Sequence, residues 1–168
     1  MRKTTLLKYR KLHPKELEAL RDDFIQFLAA NSITAEDWTK IKTANPEQAE
    51  KLLDIFSDIV WEKVLDKITH LEFRSSNQLR LMKFDENQAE MINIKIEDSH
   101  FDFRNQESLT EIAEGRIQLK SLNPEITKGK KKHKKLREME VFYYLEQGGT
   151  PSKKELWESE FIQNLLNA

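Results

Sequence analysis

The chain contains no cysteine, which removes disulfides, thiolate zinc sites, iron–sulfur clusters and a thiol nucleophile from consideration. A reducing compartment suits such a chain, and the cytoplasm is the expected location. Glycine is nearly as scarce. Gly115, Gly129, Gly148 and Gly149 are the whole supply, and no glycine cluster opens a helix behind a strand, as a phosphate-cradling loop requires. Lys128-Gly129-Lys130-Lys131 bears a superficial likeness to such a loop, but Pro124 stands where its first glycine belongs and no Ser or Thr follows the lysine. No apolar run approaches the roughly 18 uncharged residues of a membrane span. The weakly polar stretch from Thr4 to Leu7 falls far short of a signal-peptide core. The expectation is a soluble, unsecreted protein with no membrane partner. His13, His70, His100 and His133 show no metal-ligand spacing, and no Gly-x-Ser-x-Gly elbow occurs. No catalytic residue, metal ligand or cofactor is assigned.

What the chain does have is segregated charge, hidden by a formal net charge of -1 over 168 residues. Met1 to Lys15 carries six cations and no acid, including Arg2, Lys3, Lys8, Arg10 and Lys11. Lys128, Lys130, Lys131, Lys132, Lys134, Lys135 and Arg137 form a second basic stretch, again without an acid. Residues 16–127 between them hold 13 Lys or Arg against 23 Asp or Glu. Asymmetry of this kind bears on partners rather than on fold.

The apolar pattern describes one α+β domain over residues 1–168. N-terminal helices (14–68) pack on a small antiparallel meander of three to four strands (69–120). An exposed connection (121–130) then leads to two C-terminal helices (131–166). Pro14 opens a helix with Leu17, Leu20, Phe24, Phe27 and Leu28 on one face, expected to end near Asn31. Thr34 with Asp37 reads as a capping box, and Asn45-Pro46 starts a long helix. After Ile68 the period changes to two. Leu71–Phe73, Leu79–Phe84 and Ile92–Ile96 read as strands joined by turns at Ser75–Asn77 and Asp85–Asn87. A helix is expected over Glu107–Glu114 and a fourth strand over Arg116–Lys120. Lys128–Arg137 is placed at the start of a helix ended by Gly148-Gly149, and Ser152 with Glu155 caps the final helix.

Three strings carry a resemblance: Phe24-Ile25-Gln26-Phe27-Leu28-Ala29, Ser32-Ile33-Thr34-Ala35-Glu36-Asp37-Trp38 and Phe56-Ser57-Asp58-Ile59-Val60-Trp61-Glu62. With them the chain resembles, mainly over residues 8–70, a family of small bacterial proteins of unknown function. The resemblance implies a shared fold and transfers no functional residue.

Two charged constellations are the candidate sites. On the long helix, Glu50, Asp54, Asp58, Glu62 and Asp66 stand four residues apart. Like charges at that spacing oppose the helix by roughly 0.2–0.5 kcal/mol per pair, about 1–2 kcal/mol over the ladder. The ladder reads as a solvated face, as an acidic docking strip for a basic partner, or as a hard-cation site limited to two or three carboxylates by the helical drift. The segment Lys128–Arg137 is its opposite. Its cations suit phosphate, and RNA or DNA is the natural polyanion. Against that, lysine dominates and no aromatic residue interrupts the run to stack on bases. A solvated stretch and protein docking, including a clasp onto the acidic ladder, stay open. The first reading is a non-enzymatic interaction domain with an unknown protein partner. The alternative is a nucleic-acid-binding accessory protein using residues 128–137. An enzyme of unknown class is third, since catalytic groups can come from distant positions.

Overall fold

The protein is described by a computed structural model over residues 7–98 and 100–168. Arg2 and Lys3 of the first basic stretch lie outside the described residues. Among those described, the fold is α+β with eight α-helices and a five-stranded antiparallel sheet. The chain forms two compact units, the first ending at Leu65 and the second beginning at Asp66. No helix among the described residues is long and apolar enough to cross a membrane.

The first unit is helical. Helix α1 (Pro14–Ala19) has proline at its first position, where the missing N–H costs nothing. The expected single helix to Asn31 breaks at Leu20 (φ -103°, ψ 22°), and α2 (Arg21–Ala30) follows. The bend keeps Leu17 and Leu20 on the same apolar cluster as Phe24 and Leu28. Helix α3 (Ala35–Ala44) has the expected capping box: the Asp37 N–H donates to Thr34 Oγ1 at 3.1 Å, and the Thr34 N–H donates to Asp37 Oδ2 at 3.0 Å. Asn45 Oδ1 accepts from the Gln48 N–H ahead of α4 (Pro46–Lys67). The core is aromatic, with Phe24 meeting Phe56 at 5.0 Å and Trp38 at 5.2 Å in edge contacts.

The second unit is built on the meander β1 (His70–Arg74), β2 (Gln78–Phe84) and β3 (Gln88–Lys95). Pairings such as Leu79↔Ile94 and Leu81↔Ile92 put one apolar face together, all four side chains being buried. Helix α5 (Gln106–Ala113) reaches that cluster through Leu109 and Ile112. Phe101 and Phe103 join it from a loop, as an edge-to-face pair at 4.8 Å.

Beyond Ala113 the fold departs from the sequence reading. The segment expected as a fourth strand holds no strand; a 3-10 turn covers Leu119–Leu122. The fourth strand is β4 (Glu125–Lys132), through the segment expected as connection and helix start. Its only apolar anchor, Ile126, pairs across from Ile94, and its ladder to β3 overrides the poor strand propensity of lysine and glycine. Helix α6 (Arg137–Glu146) therefore starts only at the last cation of the basic run, and Gly148 at φ +95° ends it. The two residues Thr150–Pro151 (β5) pair with β1, giving the order β4-β3-β2-β1-β5. Instead of one final helix there are α7 (Lys154–Glu158) and α8 (Glu160–Asn167), which bury Trp157 and Ile162 on the sheet. Lys153, not Ser152, is the residue preceding α7.

Candidate functional site

Along α4 the acidic ladder is met by the N-terminal basic stretch. Lys8 Nζ lies 2.6 Å from Glu62 Oε1, while the backbone N–H groups of Lys8 and Tyr9 donate to the two oxygens of Asp58 at 2.9 and 3.1 Å. Lys11 Nζ pairs with Glu50 and, at 3.3 Å, with Asp54. Arg10 binds Glu16 at 2.8 Å and stands 4.6 Å over the Trp61 ring. Beneath the charges, Leu12 is buried and its N–H donates to Ser57 Oγ at 3.0 Å. Residues 8–12 are thus a strap along the helix. Hydrogen bonds to Glu62 and to Glu50 raise the pKa values of Lys8 and Lys11, and Arg10 lowers Glu16 to about 2. These pairs are partly exposed and contribute roughly 0.2–1 kcal/mol each, enough together to offset the like-charge cost of the ladder. Asp66, the fifth carboxylate, has no ion-pair partner among the described residues.

On its other side α4 forms an apolar groove with α2. The groove is about 460 Å³ in volume and is lined by Leu20, Phe27, Phe56, Ile59, Val60 and Val64, with Asp23, Gln26 and Lys63 around them. Ile59 and Val64 are 38 % and 43 % exposed, and Ile25 and Ile55 on the same two helices 52 % and 40 %. Of these four, Ile59 and Val64 line the groove, and Ile25 and Ile55 are exposed outside it.

The second basic stretch lies on the edge strand β4 and the turn after it. Lys128 Nζ donates to the carbonyls of Leu165, Leu166 and Ala168 at 3.1–3.3 Å, capping the C-terminus of α8. Lys130 pairs with Glu90 at 3.3 Å. Lys131 binds the buried Glu140 at 2.8 Å and sits 5.3 Å over the Tyr144 ring. Burial alone pushes the Glu140 carboxyl up, but the Lys131 ammonium and the Lys134 N–H outweigh it and hold the pKa below its ordinary value. Arg137 is directed inward, its guanidinium donating to the carbonyls of Ile68 and Phe84. The side chains of Lys132, Lys134 and Lys135 take no ion-pair partner among the described residues.

One polar constellation was not found from sequence. A cleft of about 720 Å³ opens between β1, β5, α5 and α7, with Glu72 and Arg74 on its floor. Glu72 accepts from Arg74 Nη2 at 3.1 Å and from Ser152 Oγ at 2.8 Å, and Arg74 Nη1 donates to Gln106 Oε1 at 3.1 Å. Ser152 is therefore tied to the sheet instead of capping α7. The alternation of β1 sets Glu72 and Arg74 on the face opposite Leu71 and Phe73, and only the register on β2, Glu72 across from Leu81 and Arg74 across from Leu79, places both charges on the side of those buried leucines. Their partner Ser152, 80 residues away, left no local trace.

A family profile described as a family of unknown function (DUF6495) matches residues 7–167. No curated protein and no solved structure matches the chain.

Proposed function

The chain belongs to the family DUF6495, which brings no activity with it, and we propose from the geometry that it is a non-enzymatic protein-interaction domain docking a partner helix between α2 and α4. The observation that carries this reading is the apolar groove with its polar rim. It is lined by the Phe27–Phe56 pair, 5.4 Å between rings, and on the α4 side by the exposed Ile59 and Val64. A trough between two helices accepts the apolar stripe of a third by ridge-into-groove packing, with anchors at i, i+3/i+4 and i+7. Asp23 on one wall and Lys63 on the other offer both signs of charge to the flanks of that helix. The acidic ladder plays no direct part in this docking; the N-terminal strap already engages four of its five carboxylates.

The test begins with a photo-crosslinking amino acid in place of Ile59, with the exposed Glu36 as the control site. A helical peptide from the crosslinked partner is then titrated calorimetrically. Docking covers the exposed two-fifths of each aliphatic side chain, about 0.6–1.2 kcal/mol apiece, so Ile59→Glu with Val64→Glu weakens binding by roughly tenfold or more. Equal affinity of the double variant, or equal crosslinking from both sites, overturns the reading. The nucleic-acid alternative has Lys132, Lys134 and Lys135 to draw on, the other cations of the segment being held within the fold.

A further inference from the structure

Strand β4 pairs with β3 over its whole length, from Gln88↔Lys132 to Lys95↔Glu125, and no described strand pairs with its outer edge. Backbone groups alternate in direction along a strand. Eight residues therefore turn about four N–H and four C=O groups away from the sheet. All of β4 except Ile126 is exposed. The two edges of the sheet are treated differently. At the far side, β5 is two residues long and ends in Pro151, which has no N–H to offer a further strand. At β4 the backbone is open, and charge alone guards it: six lysines and no acid from Thr127 to Lys135.

A guard made only of positive charge repels basic strands and strands that cannot neutralise it, and by the same physics it selects acidic ones. We propose that the outer edge of β4 is a docking site for an extended acidic segment of a partner protein, which adds to the sheet as a sixth strand. Lys128, Lys130 and Lys132 fall on one face of β4, so acids at every second position of the added strand meet this row. Lys134 and Lys135 continue the charge beyond it. The backbone ladder supplies affinity, and the lysine row supplies the choice of partner. A nucleic acid fits this edge less well. Phosphates have no N–H to meet the outward carbonyls, and no aromatic side chain lies along β4 for base stacking.

The experiment uses the full chain and a synthetic octapeptide alternating glutamate with valine, followed by hydrogen exchange and fluorescence anisotropy at low salt. Strand addition slows exchange by about tenfold or more at alternate amides of residues 125–132 and nowhere else in the sheet. Methylating every second backbone nitrogen of the peptide leaves its charge intact and abolishes both binding and protection. Changing Lys132, Lys134 and Lys135 to Glu weakens the peptide by about tenfold or more without altering the circular dichroism, since all three are exposed. The proposal is overturned if the methylated peptide binds equally, because charge alone then suffices. It is equally overturned if neither peptide binds at low salt, or if a single-stranded oligouridylate binds more tightly than the acidic peptide without protecting the β4 amides.

Discussion

Replacing Ser57 by Ala tests whether the N-terminal strap is held by one buried hydrogen bond. Ser57 is 1 % exposed in the middle of α4. Its hydroxyl donates to the Leu53 carbonyl at 2.7 Å and accepts from the Leu12 N–H at 3.0 Å. The two bonds are unequal. The Leu53 carbonyl keeps its helical partner when the hydroxyl is removed, whereas the Leu12 N–H has no other acceptor among the described residues. Leaving a buried N–H unsatisfied costs about 1–3 kcal/mol. Alanine returns roughly 0.5 kcal/mol of helix propensity, so the net loss is about 0.5–2.5 kcal/mol. Urea denaturation followed by circular dichroism measures it. Hydrogen exchange locates it, because Leu12 should lose protection first. Thr43→Ala is the control: Thr43 is exposed on α3, its hydroxyl bonds only helical carbonyls, and its removal should be neutral to slightly stabilising. If Ser57→Ala is as stable as wild type and Leu12 remains protected, the hydrogen bond does not anchor the strap.

Two further outcomes follow from buried ionisable groups. Glu140→Gln removes the partner of Lys131 at a nearly buried site while preserving an acceptor for the Lys134 N–H, and should cost about 1–2 kcal/mol at neutral pH. Because the folded pKa of Glu140 is depressed, its contribution is present above the unfolded value and is lost as pH falls through the folded one; a stability-versus-pH series should therefore show a shallower acid limb in the variant. His70 is buried beside Trp157, and burial foremost, then Lys83, lowers its pKa from 6.5. Lys154 acts in the same sense, while Glu158 and Asp85 act against it. With the unfolded chain binding the proton more readily, stability should fall as pH drops below about 6.5. A proton NMR titration of the imidazole together with denaturation of His70→Leu checks this, and an imidazole titrating at or above 6.5 refutes it.

Where a local rule and the tertiary environment agree, the sequence was enough. Thr34 and Asp37 cap α3 wherever it packs, and Asn45-Pro46 starts α4 for reasons contained in those two residues. The strict alternation of Ile92, Ile94 and Ile96 demanded one buried face, which β3 has. The acidic ladder was likewise visible as a local conflict needing compensation. Its compensating partner was left open, because nothing in a sequence states which of two basic stretches lies along a helix; residues 8–11 meet it in the fold. The Glu72–Arg74–Ser152 network shows the same limit, since its members are joined only by the pairing of β5 with β1.

The basic segment marks the boundary most clearly. Its composition fixed that it would be exposed and charged, because lysine ammoniums are costly to bury whatever the secondary structure. It did not fix that the segment is a strand. Lys-Gly-Lys-Lys-Lys has neither a strand's alternation nor its propensity, and the decision fell to the open edge of β3, whose N–H and C=O groups are satisfied by β4. Amino-acid order set the helices, the meander and the separation of charge, since caps, turns and periodicity act over a few residues. Only the folded chain decided which charges are tied down within the structure and which, at Lys132, Lys134 and Lys135, are left facing outward.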